Sequence, residues 1–343
     1  MKRWQTLVIG LAISALFLIL ALHRANPAAM LGAFRKARYG FAVLAFGLII
    51  LTVLLRGLRW SVLTQRRLSV IDSFWLFNIG FLFNNVLPVR LGEFARAALA
   101  GRRRGMHFTS ALSSIVVERL FDMVSVVILI GIVLIALPLP DWATTAGAAM
   151  GAIALVGIII LALAARHPNR ALATGSRLLA LLPRLTREGA YTFLQPFIAG
   201  LGGVSDLRTF GLGMGLSIFA WLFSGFVAWV LMLAFWTHAP LVVGQMVVAA
   251  AGLGIAVPGA PAGLGPFEAA VIGSLTATGY EADTSRSFAL ALHALNFVAT
   301  SLFGALGLLR EGVSFGQVAH EAQTLHTAER EGGEETPTVS RVS

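Results

Sequence analysis

The sequence contains no cysteine and few charged residues, and both absences narrow the class of protein. Without cysteine, the chain forms no disulfide and no thiolate metal site. Charged residues occupy 12% of the 343 positions, about half of the share typical of soluble domains. A nucleotide-binding loop and the paired-histidine motif of zinc hydrolases are both missing from the sequence. We therefore expect no cofactor and no bound metal.

Apolar residues are abundant instead: they make up 57% of the chain, and its mean hydropathy is +0.82. Several apolar stretches approach or exceed the length that crosses the hydrocarbon core of a bilayer. They cover residues 7–22, 41–55, 115–137, 146–164, 210–235, 241–257 and 288–309. The sequence therefore predicts an all-α, polytopic membrane protein with a single transmembrane domain over residues 1–312.

The net charge is +10, but its distribution indicates membrane topology and not a nucleic-acid partner. If the N-terminus is cytoplasmic, most of the 26 basic residues fall on the cytoplasmic side, as the positive-inside rule requires. Arg35, Lys36 and Arg38 fall on the other side and are exceptions. We expect a protein of the inner (cytoplasmic) membrane of a bacterial cell, with both termini in the cytoplasm.

Two apolar regions are interrupted in the manner of a helical hairpin. Asn84, Asn85 and Pro88 break the region 74–99, and a proline-rich turn breaks the region 241–278 after residue 256. Non-helical backbone at membrane depth is tolerated where protein or a water-filled cavity supports it. Each region therefore predicts a re-entrant or broken helical hairpin.

The two hairpins align when the first is shifted by 175 residues (268 − 93). Glu93 then falls on Glu268, and Glu118 falls on His293, although Gly80 misses Gly254 by one residue. Charge counting makes the first unit enter the membrane from outside and the second from inside. We therefore expect two inverted repeats, an arrangement typical of transporters whose site lies at the repeat interface.

The boundaries of these units follow from the same alignment. Repeat 1 covers about residues 41–137, and repeat 2 covers about 210–309. An amphipathic linker of about 165–205 joins them, with arginines and leucines suited to the membrane interface. The polar tail 313–343 is expected to be cytoplasmic and disordered.

A run of charge, Glu118, Arg119 and Asp122, lies inside the apolar segment 111–137. An ionised side chain in the bilayer costs on the order of several kcal/mol, and such residues are usually functional. The spacing of three and four residues places the three on one helical face. Two acids with one base leave a carboxylate without a partner in the run, which favours a headgroup or proton site. The alternative is a structural ion pair between helices.

Further candidates lie in the hairpins and the last apolar stretch. Arg90, Glu93 and Arg96 recur every third residue near the start of a helix, where free N–H groups and arginines suit a phosphate. Alternatively, Glu93 caps the helix and the arginines reach the interface. Capping and packing are likewise the alternatives for Glu268 and His293. The remaining candidates for substrate binding are Asn84, Asn85 and Asn296.

Taken together, the motifs resemble the flippase-like family of the lysylphosphatidylglycerol synthase transmembrane region, over roughly residues 4 to 312. The matching residues are Arg56-x-x-Arg59-Trp60, Asn84-Asn85-Val86-Leu87-Pro88-x-x-x-Gly92-Glu93-x-x-Arg96, Glu118-Arg119-x-x-Asp122, Pro258 and Gly263-x-Gly265-x-x-Glu268. Bifunctional relatives add a soluble aminoacyl-transferase domain and move the modified lipid between leaflets. The short polar tail here predicts a stand-alone member without that domain.

The resemblance implies a lipid translocase that is not an enzyme. Its partner would be a membrane lipid with an anionic phosphate headgroup, bound in a polar cavity at the repeat interface. One alternative is a membrane enzyme that transfers a group to or from a lipid phosphate, with Glu118 or Asp122 as base. Another is a non-catalytic partner of a separate lipid-modifying enzyme. A homo-oligomer is compatible with each.

Overall fold

The computed structural model describes residues 12, 15–23, 25–87, 91–103, 106–137, 141–180, 187–201, 206–256 and 261–331, and within these ranges every regular element is helical. The helices are α1 (Ala15–Leu22), α2 (Pro27–Lys36), α3 (Tyr39–Leu63), α4 (Val70–Val86), α5 (Gly92–Gly101), α6 (Phe108–Ala136), α7 (Asp141–Arg166), α8 (Pro168–Leu179), α9 (Arg187–Ala199), α10 (Leu207–Phe235), α11 (Leu241–Ala256), α12 (Pro266–Ala277), α13 (Ala282–Glu311) and α14 (Phe315–Glu331). A short 3₁₀ turn, Pro261–Gly263, precedes α12.

Five of the described helices are long and apolar enough to cross a membrane: α3, α6, the Gly147–Arg166 part of α7, α10 and α13. The pair α1 and α2, bent by 80°, would add a sixth span if the two act as one. The prediction of a polytopic α-helical membrane protein is confirmed.

The polar sequence between the spans supplies the helix starts. Ser69 accepts a hydrogen bond from the backbone N–H of Asp72 at the start of α4, and Asp206 accepts from Thr209 at the start of α10. Such side chains satisfy N–H groups that have no partner within the helix. The hydrogen bonds from the Thr209 hydroxyl and N–H also hold the pKa of the Asp206 carboxyl below its usual range.

Both predicted hairpins are present. In hairpin 1, α4 ends at Val86 and α5 begins at Gly92; in hairpin 2, α11 ends at Ala256 and α12 begins at Pro266. Where their helices cross, a Cβ on Gly92 would lie 2.1 Å from the Gly80 carbonyl oxygen, and one on Gly254 would lie 2.6 Å from the Pro266 oxygen. Glycine is therefore needed at both crossings. The turn residues Pro88, Arg90 and Pro258 lie outside the described residues.

The helix pairing is alike in the two halves. Helix α3 packs on α10. Helix α4 of hairpin 1 packs on α13, and α11 of hairpin 2 packs on α6. Where α13 crosses α4, Gly304 lies against Asn78, and where α11 crosses α6, Gly252 lies against Val126. Each hairpin therefore contacts the last long helix of the other half. The inversion of one half relative to the other in the membrane stays a prediction.

The tail differs from expectation. Residues Phe315–Glu331 form α14, which packs on α5. The Phe315 ring stacks on Phe83 with centroids 4.4 Å apart, and Val318 and Ala322 are buried. These apolar positions share one helical face, which an otherwise polar composition conceals. The expectation of disorder is wrong for this stretch; residues 332–343 lie outside the described residues.

Candidate functional site

Arg59 lies at the centre of a buried charge cluster. Its side chain is 0% exposed, although it belongs to the apolar helix α3. Nη1 lies 2.5 Å from Asp122 Oδ1 and donates to Ser217 Oγ at 3.0 Å. Nη2 lies 3.2 Å from Glu118 Oε1. One guanidinium thus joins α3 to α6 and α10, because its planar fork reaches two carboxylates at once.

Glu118 receives two further arginines on the same oxygen. Arg96 Nη2 lies 3.1 Å from Oε1, and Arg119 Nη2 lies 2.7 Å from it. The Arg96 guanidinium carbon is 4.3 Å from the Trp60 ring centroid and 4.0 Å from that of Phe77. Arg96 is therefore fixed between two aromatic rings, where a cation is attracted to the ring faces.

Arg119 and Arg56 occupy the open side of the cluster. The Arg119 side chain is 42% exposed, and its Nη2 lies 3.6 Å from Asp122 Oδ2. Arg56 is half-buried, with its guanidinium carbon 5.5 Å from the Trp221 ring centroid. Trp221 in turn donates its indole N–H to Asp122 Oδ1 at 2.9 Å. These two residues are the less buried arginines of the cluster.

The cluster carries more positive than negative charge. Four arginines (Arg56, Arg59, Arg96 and Arg119) gather around Glu118 and Asp122. Within the described part of the chain, the buried Nε atoms of Arg59, Arg96 and Arg119 have no hydrogen-bond partner. Glu118 Oε2 and Asp122 Oδ2 are likewise buried without a hydrogen-bond partner. Four arginines still outnumber these two carboxylates and the nearby Glu93, and an excess of positive charge suits an anion. The carboxylate that the run alone leaves without a partner is paired from other helices, by Arg59 and Arg96.

In hairpin 1, the start of α5 is capped by Asn84 and not by Glu93, which the sequence offered as an alternative. The Gly92 N–H donates to Asn84 Oδ1 at 2.8 Å, and Asn84 Nδ2 lies 3.4 Å from Glu93 Oε2. Glu93 is half-buried beside the cluster. Arg90, predicted to share this face, lies outside the described residues.

Hairpin 2 carries a second polar pair. Glu268 is 0% exposed; its Oε2 accepts from the Gly265 N–H at 2.7 Å, and its Oε1 lies 2.6 Å from His293 Nδ1. The Phe267 ring covers the imidazole, with centroids 4.7 Å apart. Glu268 therefore both caps α12 and ties it to α13.

Asn85 and Asn296, two of the predicted asparagines, lie outside the ion pairs of the arginine cluster. Asn85 donates to Thr300 Oγ1 at 3.1 Å and to Ser301 Oγ at 2.9 Å, which links α4 to α13. Asn296 donates to the Leu292 carbonyl of its own helix at 2.8 Å. These contacts are between or within helices, and the roles of the two asparagines in binding stay predictions.

Comparison with known proteins identifies the family of this chain. Residues 7–304 match the family described as the lysylphosphatidylglycerol synthase transmembrane region. The chain belongs to this family. It is 24% identical to the glycosyltransferase AglD of Haloferax volcanii, over 96% of this chain and 58% of that protein. It is also 24% identical to a UPF0104 membrane protein of Methanothermobacter thermautotrophicus, over 86% of this chain and 90% of that one. No solved structure matches.

The chain thus spans about 58% of the length of the glycosyltransferase relative. In this member of the lysylphosphatidylglycerol synthase transmembrane-region family, the motif residues gather at two places. Arg59, Arg96 and the α6 charges form one, and Glu268 with His293 forms the other.

Residue patterns alone missed Arg56, Arg59, Ser217 and Trp221 as site residues. Arginines in an apolar helix were a signal, since charge in such a segment is costly, but they were attributed to topology. Ser217 and Trp221 gave no signal, because serine and tryptophan are common in membrane helices and their partner, Asp122, is on another helix.

Proposed function

We propose that this protein is a lipid translocase, which moves a phosphate-containing lipid between the leaflets of the inner membrane with both termini in the cytoplasm. The observation that carries the proposal is the excess of arginine over carboxylate in the buried cluster. Uncompensated charge at membrane depth is costly, so an anionic headgroup would stabilise the site. Movement between leaflets requires no covalent step, and we do not assign the chain an enzymatic role.

The position of Arg119 supports passage between the hairpins. On α6, Glu118 contacts α5 of hairpin 1 through Arg96, and Val126 contacts α11 of hairpin 2 beside Gly252. Arg119 follows Glu118 and precedes Val126, so it lies along α6 between the two hairpin contacts. A headgroup that crosses between the hairpins would meet its exposed guanidinium.

In this proposal the four arginines have two roles, phosphate binding and positioning of Glu118. Arg119 and Arg56, the less buried ones, would contact the phosphate, because a guanidinium binds phosphate oxygens in a planar, two-pronged geometry. Arg59 and Arg96 would hold Glu118 in place. Arg96 was expected to bind phosphate directly, but its side chain is 4% exposed and stacked between aromatic rings. We assign it a positioning role.

A reconstituted transport assay tests the proposal. In liposomes with a fluorescent phospholipid, the wild-type protein is expected to expose inner-leaflet lipid to an external quencher. Arg119→Gln should slow this at least tenfold, equivalent to about 1.4 kcal/mol of lost interaction. Arg208→Gln is the matched control, since Arg208 is exposed at the start of α10. Wild-type liposomes without lipid movement, or Arg119→Gln at the wild-type rate, would contradict the proposal.

A second candidate follows from the relative named as a glycosyltransferase, which this chain matches over 96% of its own length. In that case the membrane domain would present a lipid-linked substrate to a separate lipid-modifying enzyme. The same liposomes separate the two candidates: lipid that stays in its leaflet but co-purifies with the protein, and is lost in Arg119→Gln, would favour presentation over translocation.

A further inference from the structure

The two halves contain equivalent polar links with different chemistry. In each half, one link joins the second hairpin helix to the long helix that follows. In the first half, Arg96 of α5 meets Glu118 of α6 at 3.1 Å. In the second half, Glu268 of α12 meets His293 of α13 at 2.6 Å. The first link contains a guanidinium, and the second contains an imidazole.

We propose that the Glu268–His293 pair is a proton-binding site, and that its proton is exchanged during lipid movement; the second part rests on the proposed function. A guanidinium keeps its charge throughout the physiological range. Imidazole is the side chain whose charge ordinarily changes between about pH 5 and 8. With Glu268 ionised, one proton on His293 changes the charge of the pair from −1 to 0.

The surroundings of His293 leave Glu268 as its ionised partner. Helices α2, α3, α4, α10 and α12 pack against α13. Within the described residues, α2, α4 and α10 carry charge near their ends, at Arg35, Lys36, Asp72 and Arg208. On α3, Arg59 is paired with α6 carboxylates, and Arg56 lies over Trp221.

Helix α13 adds charge only toward its ends among those residues. Asp283 pairs with Arg286 at 2.7 Å near the start, and Arg310 pairs with Asp72 at 3.0 Å near the end, beside Glu311. Among the described residues, Glu268 is the carboxylate in contact with His293, so protonation of His293 would add a positive charge beside the negative charge at the start of α12.

The Glu268–His293 pair is linked to the turn that precedes α12. Glu268 also accepts the Gly265 N–H, and Gly265 has φ 92°, next to the 3₁₀ turn in which Ala262 has φ 53°. Positive φ is costly for alanine. That turn contacts α4 of hairpin 1. A change in charge at Glu268–His293 is thus applied where hairpin 2 touches hairpin 1, which gives proton and lipid binding a means of coupling.

A pH gradient across the liposomes tests the coupling. Wild-type transport of the fluorescent phospholipid should change about fivefold or more when a gradient of two pH units is imposed. His293→Asn retains an amide where Nδ1 stands, but it binds no proton; it should transport lipid at a rate independent of the gradient. Glu268→Gln, which keeps an acceptor for Gly265, should do the same. His238→Gln, at an exposed loop histidine, should respond as the wild type does.

The outcomes separate this inference from the proposed function. Lipid movement that ignores the gradient in the wild-type protein would overturn proton exchange during lipid movement and leave translocation standing. If no lipid moves, ¹⁵N-histidine NMR of the full chain in micelles decides. One imidazole signal that is absent in His293→Asn and changes between pH 5 and 8 supports proton binding; an invariant signal overturns it.

Discussion

Arg59 is the residue on which the buried cluster depends. Its guanidinium contacts Asp122, Glu118 and Ser217, and no part of its side chain is exposed. Without Arg59, the buried carboxylates of Glu118 and Asp122 would repel each other, and less positive charge would compensate for their lost solvation. A lysine in its place would supply one compact charge, which lacks the planar fork that reaches both acids.

We predict that Arg59→Ala destabilises the protein more than any single loss on the open side of the cluster. Removing one partner of a buried ion pair costs roughly 3–5 kcal/mol, whereas Arg119 is 42% exposed and solvent screens part of its contribution. Thermal unfolding of the purified protein in detergent measures the difference. Arg59→Lys should be intermediate. Equal midpoints for Arg59→Ala and Arg119→Ala would contradict the central role of Arg59.

At this scale, the sequence identified some of the residues that the structure brings into one cluster. Glu118, Arg119 and Asp122 stand out because charge in an apolar helix is rare, and the structure brings them together with Arg96. Their pairing could not be predicted, because it depends on which helices face α6. For the same reason, the run alone could not predict that Arg59 and Arg96 of other helices pair with its carboxylates.

The hairpin is the element that sets the position of the cluster. Hairpin 1 carries Arg96 on α5, and the crossing of α4 and α5 at Gly80 and Gly92 fixes how close α5 lies to its neighbours. Hairpin 2 repeats this at Gly254 and Pro266. The hairpins were predictable, since asparagine, proline and glycine interrupt apolar sequence. Gly80 and Gly254 miss the 175-residue alignment by one residue, yet they occupy equivalent crossings.

We predict that Gly92→Ala disrupts hairpin 1. The added Cβ would lie 2.1 Å from the Gly80 carbonyl oxygen and 2.6 Å from Asn84 Oδ1, so α5 must move away from α4. Overpacking of this kind costs about 1–3 kcal/mol, and displaced Arg96 should reduce transport. The matched control is Gly273→Ala in α12, where a Cβ meets nothing within 4 Å. A Gly92→Ala protein with unchanged melting and transport would show that the crossing tolerates a side chain.

The whole molecule is two interlocked halves. Hairpin 1 packs on α13, hairpin 2 packs on α6, and α3 packs on α10 between them. These helix pairings could not be predicted, because apolar helices of similar composition do not show which neighbour each one packs against. The repeat predicted from the alignment stays a prediction. The alignment placed hairpin against hairpin and Glu118 against His293, which occupy corresponding links.

The predicted inversion has a direct test, which the cysteine-free chain makes simple. Val86 and Leu264 are exposed residues beside the turns of hairpins 1 and 2. Single cysteines at these positions (Val86→Cys and Leu264→Cys) should react with impermeant reagents from opposite sides of the membrane. A third, Thr324→Cys, marks the side of α14. If the two hairpin cysteines react from the same side, the repeats are not inverted.

Helix α14 makes the two halves mechanically unequal. It packs on α5, its Phe315 stacks on Phe83 of α4, and Glu321 forms an ion pair with Arg102 just beyond α5. Within the described residues, hairpin 2 has no comparable brace. Hairpin 1 is thereby braced by α14 at both of its helices. If the proposed translocation moves one hairpin against the rest, we expect it to be hairpin 2, whose α12 is joined to α13 by apolar packing and by the contact of one carboxylate with one imidazole.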